Sequence, residues 1–481
     1  MSTRPNSTIL LREIERWKLE AKNEDNARYF LPFEELEAIT DREAIYVIGR
    51  KGCGKTAIAE HIRSTVSSKI FSRSLSFKNF PFNDLYDRTD GRFTPKSQYI
   101  TLWKYIIYSA VCQQMATNEA IAPEATLPLR AHFTMDFDKA LARSLTEITQ
   151  RSVGITILKA GVTGGYTKTF IENDTPWVNR VDGLEDLIGE YIDDSTYYIL
   201  FDELDEDYKE ILDVNRKSQY FDLLAGLFKA AHEVHYRFKG IADIRPIIFL
   251  RDDIFDIIED VDKNKWEDLS VNLNWTVNKL EGLTAFRISR ALDADGQILG
   301  FSEALREVFA SDTIRHGVRT RNRRHIFKHI LDRTLIRPRD VISYMREAAK
   351  IARLQGKNMI TPSLMRDADR EYSKRMRKEF VDEVHSVIPN IHGIFNMLSN
   401  IRKQSLTVIE FKRAYEKLAI TSEGMLPFEY AARLLFYFSI IGNQPAQKNI
   451  TIFKYREPFA EMNFTENIII HRGMLKSLQI N

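Results

Sequence analysis

Ala44 to Ala57, AIYVIGRKGCGKTA, is the stretch on which the reading of this chain turns. Ala44, Ile45, Tyr46, Val47 and Ile48 form an unbroken apolar, β-prone run, of the length expected of a strand covered on both faces. The next eight residues, Gly49 to Thr56, fit the pattern GxxxxGK(S/T). Its glycines let successive backbone N–H groups turn towards phosphate oxygens, its lysine (here Lys55) reaches the β and γ phosphates, and its hydroxyl (Thr56) ligates magnesium. Beyond the loop, Ile58, Ile62 and Val66 recur at helical spacing with Glu60, His61 and Arg63 between them. Strand, glycine loop and helix thus follow in the order that sets the positive end of a helix dipole at the phosphates. A glycine turn before an ordinary helix would not require Lys55 and Thr56 together. The expected binding set is Gly49, Arg50, Lys51, Gly52, Cys53, Gly54, Lys55, Thr56 and Ala57, with Mg2+ on Thr56.

A second element, TYYILFDELDEDY, completes the chemistry. Tyr197 to Phe201 read as an apolar strand that ends abruptly in Asp202, Glu203, Asp205, Glu206 and Asp207. An acidic residue at the carboxyl end of a buried strand is what a magnesium site beside a phosphate loop requires, and Asp202 takes that place. A second carboxylate nearby can orient and activate the attacking water. Glu203 fits the form in which the base directly follows the magnesium aspartate; in the D-x-L-D-E form the later pair, Asp205 and Glu206, takes the role. Both remain open, with Glu203 preferred and Asp205 its main competitor.

Two further segments carry arginines. In RPIIFLRDDIFD, Ile247 to Leu250 read as another buried strand with Arg251 and Asp252 at its carboxyl end, the edge where nucleotide sits in an open parallel sheet. Arg251 is placed either to sense the γ-phosphate or to cap the sheet in a salt bridge. RPRD, Arg337 to Asp340, precedes a helix whose buried side is Val341, Tyr344, Met345, Ala348 and Ala349; Pro338 suits its first turn. Arg337 or Arg339 could fold onto phosphates from such a lid, and helix capping or packing would explain them equally. The densest basic run, Arg315 to Lys328, reads as a solvated helix face or as a phosphate contact.

At 481 residues the chain has room for several domains, with 44% hydrophobic and 28% charged residues. The net charge of +2, from 69 basic and 67 acidic residues, neither demands nor excludes a nucleic-acid partner. No run is long and apolar enough for a membrane span, and the N-terminus lacks a signal-type apolar core, so a cytoplasmic location with no membrane partner is expected. The only cysteines, Cys53 and Cys112, make neither a disulfide framework nor a zinc site. The expected organisation is a helical segment at 1–40, an α/β P-loop core with a mostly parallel sheet at 41–290, a helical lid at 291–360 and a C-terminal domain at 361–481. The core carries an insertion around 80–190, in which Val153 to Phe170 reads as a β-hairpin around Gly164 and Gly165. The C-terminal domain reads as helices at Leu406 to Leu418 and Pro427 to Gly442, then strands at Ile450 to Tyr455 and Asn467 to His471, a winged-helix-like layout.

Together GRKGCGKTA, DELDE, FLRDDIF, LNW at Leu273 to Trp275, and RPRD resemble the AAA-like and STAND-like P-loop ATPases of prokaryotes. The resemblance spans residues 40 to 350. It implies ATP and Mg2+ as ligands, ATP hydrolysis, a nucleotide-controlled conformational change and homo-oligomerisation. Some relatives of this kind act in DNA transactions or phage defence, so DNA or a separate effector protein are the implied partners. Residue by residue, it implies that Lys55 and Thr56 hold phosphate and magnesium, that Asp202 holds magnesium, that Glu203 is the base, that Arg251 is a first sensor and that Arg337 or Arg339 is a second. The arginine finger is sought at Arg319 to Arg324.

Overall fold

The computed structural model describes residues 6–65, 67–76, 95–132, 156–160, 166–170, 177–205, 214–315, 322–420, 422, 424–446 and 450–480. Contacts divide the chain into two compact units, Pro32–Asn274 and a second that joins Met1–Leu31 to Trp275–Asn481. The unit carrying the glycine loop is thus inserted into the sequence of the other, and the chain passes between them twice. The compact unit that holds the glycine loop runs from Pro32 to Asn274, and the helix Val277–Leu292 lies in the other unit.

In the inserted unit the strands in chain order are β1 (Tyr46–Ile48), β2 (Ile70–Ser76), β3 (Thr156–Ala160), β4 (Tyr166–Phe170), β5 (Thr196–Asp202), β6 (Asp243–Leu250) and β7 (Ser270–Asn272). Five of them form one sheet in the order β2-β5-β6-β1-β7, every neighbouring pair parallel. β1 lies between β6 and β7, with Val47 opposite both Phe249 and Val271. Its three residues are buried, which is why its sequence runs apolar without alternation. The helix Lys55–Ser64 packs on β2, β5 and β6, and the long helices Pro95–Thr117 and Val214–Arg237 pack on each other and on the sheet. Tyr46 stacks on Phe228 at 4.6 Å and its hydroxyl donates to the Phe228 carbonyl at 2.8 Å. Trp103 meets the edge of Phe201 at 5.9 Å and donates to the Leu223 carbonyl at 2.9 Å. A buried polar ring atom is tolerable only when so paired.

β3 and β4 form a separate antiparallel pair, Leu158 opposite Lys168, as the hairpin reading expects; Gly164 and Gly165 lie outside the described residues. The strand read at Phe71 to Phe80 is described as Ile70–Ser76, and the helix read at 97–118 is Pro95–Thr117.

The second unit is mainly helical, with one continuous cluster of buried side chains running from Leu10 to Ile480. The lid and C-terminal segments, expected to divide at residue 360, share this core. Leu10, Leu11 and Ile14 of the amphipathic helix Asn6–Arg16 enter it by packing on Pro338–Leu354 and Val277–Leu292. The basic run is not one helix face. Arg315 ends β8 (Thr313–Arg315), Arg323 and Arg324 lie in the antiparallel β9 (Arg323–His325), and Lys328 sits in the helix Ile326–Leu331. Arg319 and Arg321 lie outside the described residues.

Residues 391–470 contain the helices Ile391–Ile401, Val408–Ile420 and Phe428–Tyr437 with strands β10 (Ser405–Leu406), β11 (Ile441–Gln444) and β12 (Asn467–Ile470), paired antiparallel in the order β10-β12-β11. The elements follow in the order helix, strand, helix, helix and two strands. Two elements differ from expectation. The helix read to Gly442 stops at Tyr437, because Ser439 turns into the left-handed region (φ 59°) and redirects Ile441–Gln444 into the sheet. Ile450 to Tyr455 contributes only the bridge between Ile452 and Asn443. The partner of β12 is therefore the apolar end of the former helix pattern.

The polypeptide before the inserted unit is tied down by one buried cation. The Arg287 guanidinium lies 4.8 Å from the Trp17 ring centroid and 4.7 Å from that of Tyr29, and it ion-pairs with half-buried Glu24. Arg287→Ala removes the counter-charge of the Glu24 carboxylate, which keeps the Lys18 and Asp25 amides as donors, and takes away the cation between the two rings. We expect a loss of about 3 kcal/mol in denaturant unfolding of this unit, and a much smaller loss for the surface change Arg16→Ala.

Candidate functional site

The glycine loop leaves β1 at the carboxyl edge of the sheet. Gly49 donates to the Leu250 carbonyl at 3.2 Å, and a β-carbon on it would approach Cys53 Sγ at 2.7 Å and Leu273 Cβ at 3.0 Å. The Leu273 amide donates to Ile48 at 2.8 Å, so Leu273 backs the loop. Gly54 has φ 108° and stands at the N-cap of Lys55–Ser64, a conformation that favours glycine. Lys55 arches over the loop, its Nζ donating to the carbonyls of Gly49 at 2.6 Å and Arg50 at 3.1 Å. These are weak substitutes for phosphate oxygens, which carry full charge.

Thr56, in the first turn of the helix, lies near enough to Asp202 at the end of β5 for its hydroxyl to favour the charged carboxylate. Asp202 is 5% exposed and its Oδ1 accepts from the Glu203 amide at 2.9 Å. Burial pushes its carboxyl above the usual range, opposed by the Glu203 amide, Thr56 and Lys55. The next strand presents a second carboxylate. Burial, then repulsion from Asp253, pushes Asp252 up, while Lys55 and Arg50 pull against that shift. Two poorly solvated carboxylates thus lie in electrostatic reach of Lys55. Thr56 and Asp202 together offer an oxygen donor set that fits Mg2+ completed by phosphate and water.

The remaining predicted residues divide. Glu203 is half-buried and adopts φ 60°, a backbone region costly for a side chain other than glycine. It directly follows Asp202 in the turn that ends β5. Asp205 is engaged by Arg251 at 3.4 Å. Arg251, 8% exposed, also pairs with Asp253 through Nε at 2.9 Å and through Nη2. Of the two residues read after β6, then, Arg251 is committed to carboxylates and Asp252 lies in electrostatic reach of Lys55. The sequence signal for Asp252 was its place immediately past the strand, where the larger arginine drew the assignment. Glu206 and Asp207 lie outside the described residues.

Arg337 and Arg339 belong to the other unit. Arg337 is buried at the start of Pro338–Leu354, with Nε 2.9 Å from Asp340 and Nη2 3.5 Å from Glu379. Burial alone would lower its pKa, but Asp340, Glu383 and Glu379 outweigh that and raise it. Its local role is to join helices. Arg339 is half-buried. Cys53 is buried and burial pushes its thiol up, which disfavours a reactive thiolate. Among the described residues no helix is long and apolar enough to cross a membrane.

Comparison with known proteins adds the following. A family model described as the FunZ-associated C-terminal helical domain matches residues 278–381, within the helical unit. The chain is 26% identical over 306 residues to an 80.3 kDa protein of transposon gamma-delta from Escherichia coli (strain K12), a match covering 60% of this chain and 41% of that protein. The chain therefore spans less than half the length of that relative. Among solved structures, the Aeropyrum pernix ORC1 protein in complex with DNA aligns over 96% of this chain and 95% of that one, at 13% identity and a TM-score of 0.38. The Aeropyrum pernix ORC2 protein in its ADPNP–ADP complexes aligns over 95% and 91%, at 10% identity and a TM-score of 0.36. Superpositions this loose transfer no residue and no activity.

The site geometry makes a pH-dependent prediction. Asp202 has a folded pKa above its unfolded value, so its burial costs nothing below the ordinary carboxylate range, near 3.9, and costs stability increasingly as pH rises through the raised folded value. Asp202→Asn keeps an oxygen near Thr56 that can accept from the Glu203 amide. We expect it to raise the melting temperature of the nucleotide-free protein at pH 7, by an amount equivalent to about 1 kcal/mol, and by less at pH 4.5. Thermal scans at the two pH values check this.

Proposed function

We propose that this chain binds ATP with Mg2+ and hydrolyses it, as a switch or motor that couples nucleotide state to its helical unit. One arrangement carries the reading. Lys55, Thr56 and Asp202 converge at the carboxyl edge of a parallel sheet beside the dipole-positive start of a helix. ATP phosphates would replace the Gly49 and Arg50 carbonyls on Lys55, and Mg2+ would sit between Thr56, Asp202 and the phosphates. Mg2+ supplies charge neutralisation along the transferring phosphoryl group. Glu203, adjoining Asp202, accepts a proton from water as the water oxygen bonds to the γ-phosphorus and the bond to the ADP oxygen breaks. Asp205 is the alternative base, though its contact with Arg251 holds it to the β6 edge. Asp252, beside Lys55, is placed to respond to the loss of the γ-phosphate.

A second reading is a DNA-bound initiator- or loader-type ATPase. The winged-helix-like order of the C-terminal module favours it, as does the likeness to a protein named for transposon gamma-delta. A slow-hydrolysing oligomeric scaffold for a separate effector is a third form of the same switch. Phage defence draws no support from these observations and is not part of the proposal.

Turnover and binding assays separate the roles. Lys55→Ala should abolish tight ATP binding. Glu203→Gln should bind ATP and lower turnover by at least about a hundredfold, the scale of a general base. Parental turnover in Glu203→Gln would move the base to Asp205. Duplex affinity that falls steeply with salt would support the DNA-bound form, and a size change on adding ATP the oligomeric one.

A further inference from the structure

A cavity of about 470 Å3 lies wholly within the helical unit, away in sequence from the glycine loop. Its wall joins β9, the residue after Ile326–Leu331, the edge of the β10-β12-β11 sheet and the segment Thr451 to Arg456. Three arginines line it, Arg324, Arg456 and Arg472, against the single carboxylate Asp332. Arg324 pairs with Asp332, and Arg472 reaches the same carboxylate only at 3.8 Å. Among the described residues Arg456 has no carboxylate at ion-pair distance; its guanidinium lies 5.3 Å from the Tyr455 ring centroid. A fourth arginine, Arg333, stands close by but is spent on Asp369 at 2.7 Å and the His329 carbonyl at 3.0 Å.

The charges do not balance. Burial, then repulsion from Arg472, Arg333 and Arg456, pulls Arg324 below the usual arginine range, and Arg472 is lowered by burial and by Arg333 and Arg456. His471 adds no compensation: its Nδ1 accepts from the Gly473 amide at 3.1 Å, and burial pushes its pKa down to about 3, so the ring is neutral. Arg456 and Arg472 are exposed and Arg324 is half-buried, so the cleft is open to solvent; like charges gathered in its concave wall still cost free energy that a bound anion recovers. Guanidinium forks match phosphate oxygens in geometry. The volume falls in the range of small-molecule sites, roughly 300–1,000 Å3, and far exceeds what one inorganic phosphate fills. The rest of the wall, with Gln404, Thr451 and Tyr455, suits an uncharged polar or planar body.

We propose that this cavity binds a small organic phosphate of nucleotide size, its phosphate held by Arg324, Arg456 and Arg472. The site is independent of the ATP site in sequence and in the reading that supports it.

The full chain carrying Lys55→Ala, which removes phosphate-loop binding, is titrated calorimetrically with adenosine 5′-monophosphate, glucose 6-phosphate and inorganic phosphate. At least one organic phosphate should saturate a single site below about 1 mM and bind more tightly than inorganic phosphate. Adding Arg456→Ala with Arg472→Ala should weaken that binding at least tenfold. The same pair in the Lys55 background should leave ATP binding intact, which shows a folded protein. If the alanine pair fails to fold, Arg456→Lys with Arg472→Lys keeps the charge and should still weaken binding measurably by losing the forks. The proposal is overturned if no organic phosphate saturates the chain, or if binding ignores both pairs. It is equally overturned if the pairs weaken only a short DNA duplex, which would assign these arginines to nucleic acid.

Discussion

The nearness of the Thr56 hydroxyl to the buried Asp202 carboxylate is the constraint on which the proposed site depends. Thr56 opens a helix that follows β1, while Asp202 ends β5, and β6 stands between those two strands. That nearness therefore exists only if β1, β5 and β6 are parallel and in register, so that all three end at one edge. It also sets an oxygen from each element at one point. A magnesium ion needs that convergence, since it tolerates little departure from its preferred geometry.

Desolvation gives the edge its character. Asp202 and Asp252 are each held where the charged form is poorly solvated, with Lys55 in electrostatic reach of both, and Lys55 itself leans on main-chain carbonyls. None of these groups has its best partner in the bare protein. Phosphate and a divalent cation would supply the missing partners together, which is how a binding site differs from a saturated salt-bridge network. Arg251 illustrates the contrast: with Asp253 and Asp205 against it, the guanidinium is satisfied by the protein alone. Arg337, held by Asp340 and Glu379, is another such case.

The helical unit repeats this distinction. Arg287 is enclosed by Glu24, Trp17 and Tyr29 and serves to fasten the first residues to the helix that resumes the unit after the insertion. Arg324, Arg456 and Arg472 share one aspartate around an open cavity. Both places combine arginine, a carboxylate and aromatic rings; enclosure and the ratio of charge to counter-charge make one a fastening and the other a receptor.

The chain's local order was legible in its residues. AIYVIGRKGCGKTA dictates strand, loop and helix because an unbroken apolar run, obligatory glycines and a 3.6-residue period are each properties of neighbouring residues. The acidic end of β5 was legible for the same reason, as was the antiparallel pairing of Thr156–Ala160 with Tyr166–Phe170. Tertiary structure decided what depends on partners distant in sequence. SIIG after Tyr437 continues an apolar helical pattern, and only pairing with NIII at 467–470 makes its end a strand. Nothing in RDDIF ranks Arg251 against Asp252; the ion pair with Asp205, 46 residues earlier, does. The unit boundaries at Leu31 and Asn274, and the gathering of Arg324, Arg456 and Arg472, arise from burial and electrostatics between segments that no local period connects.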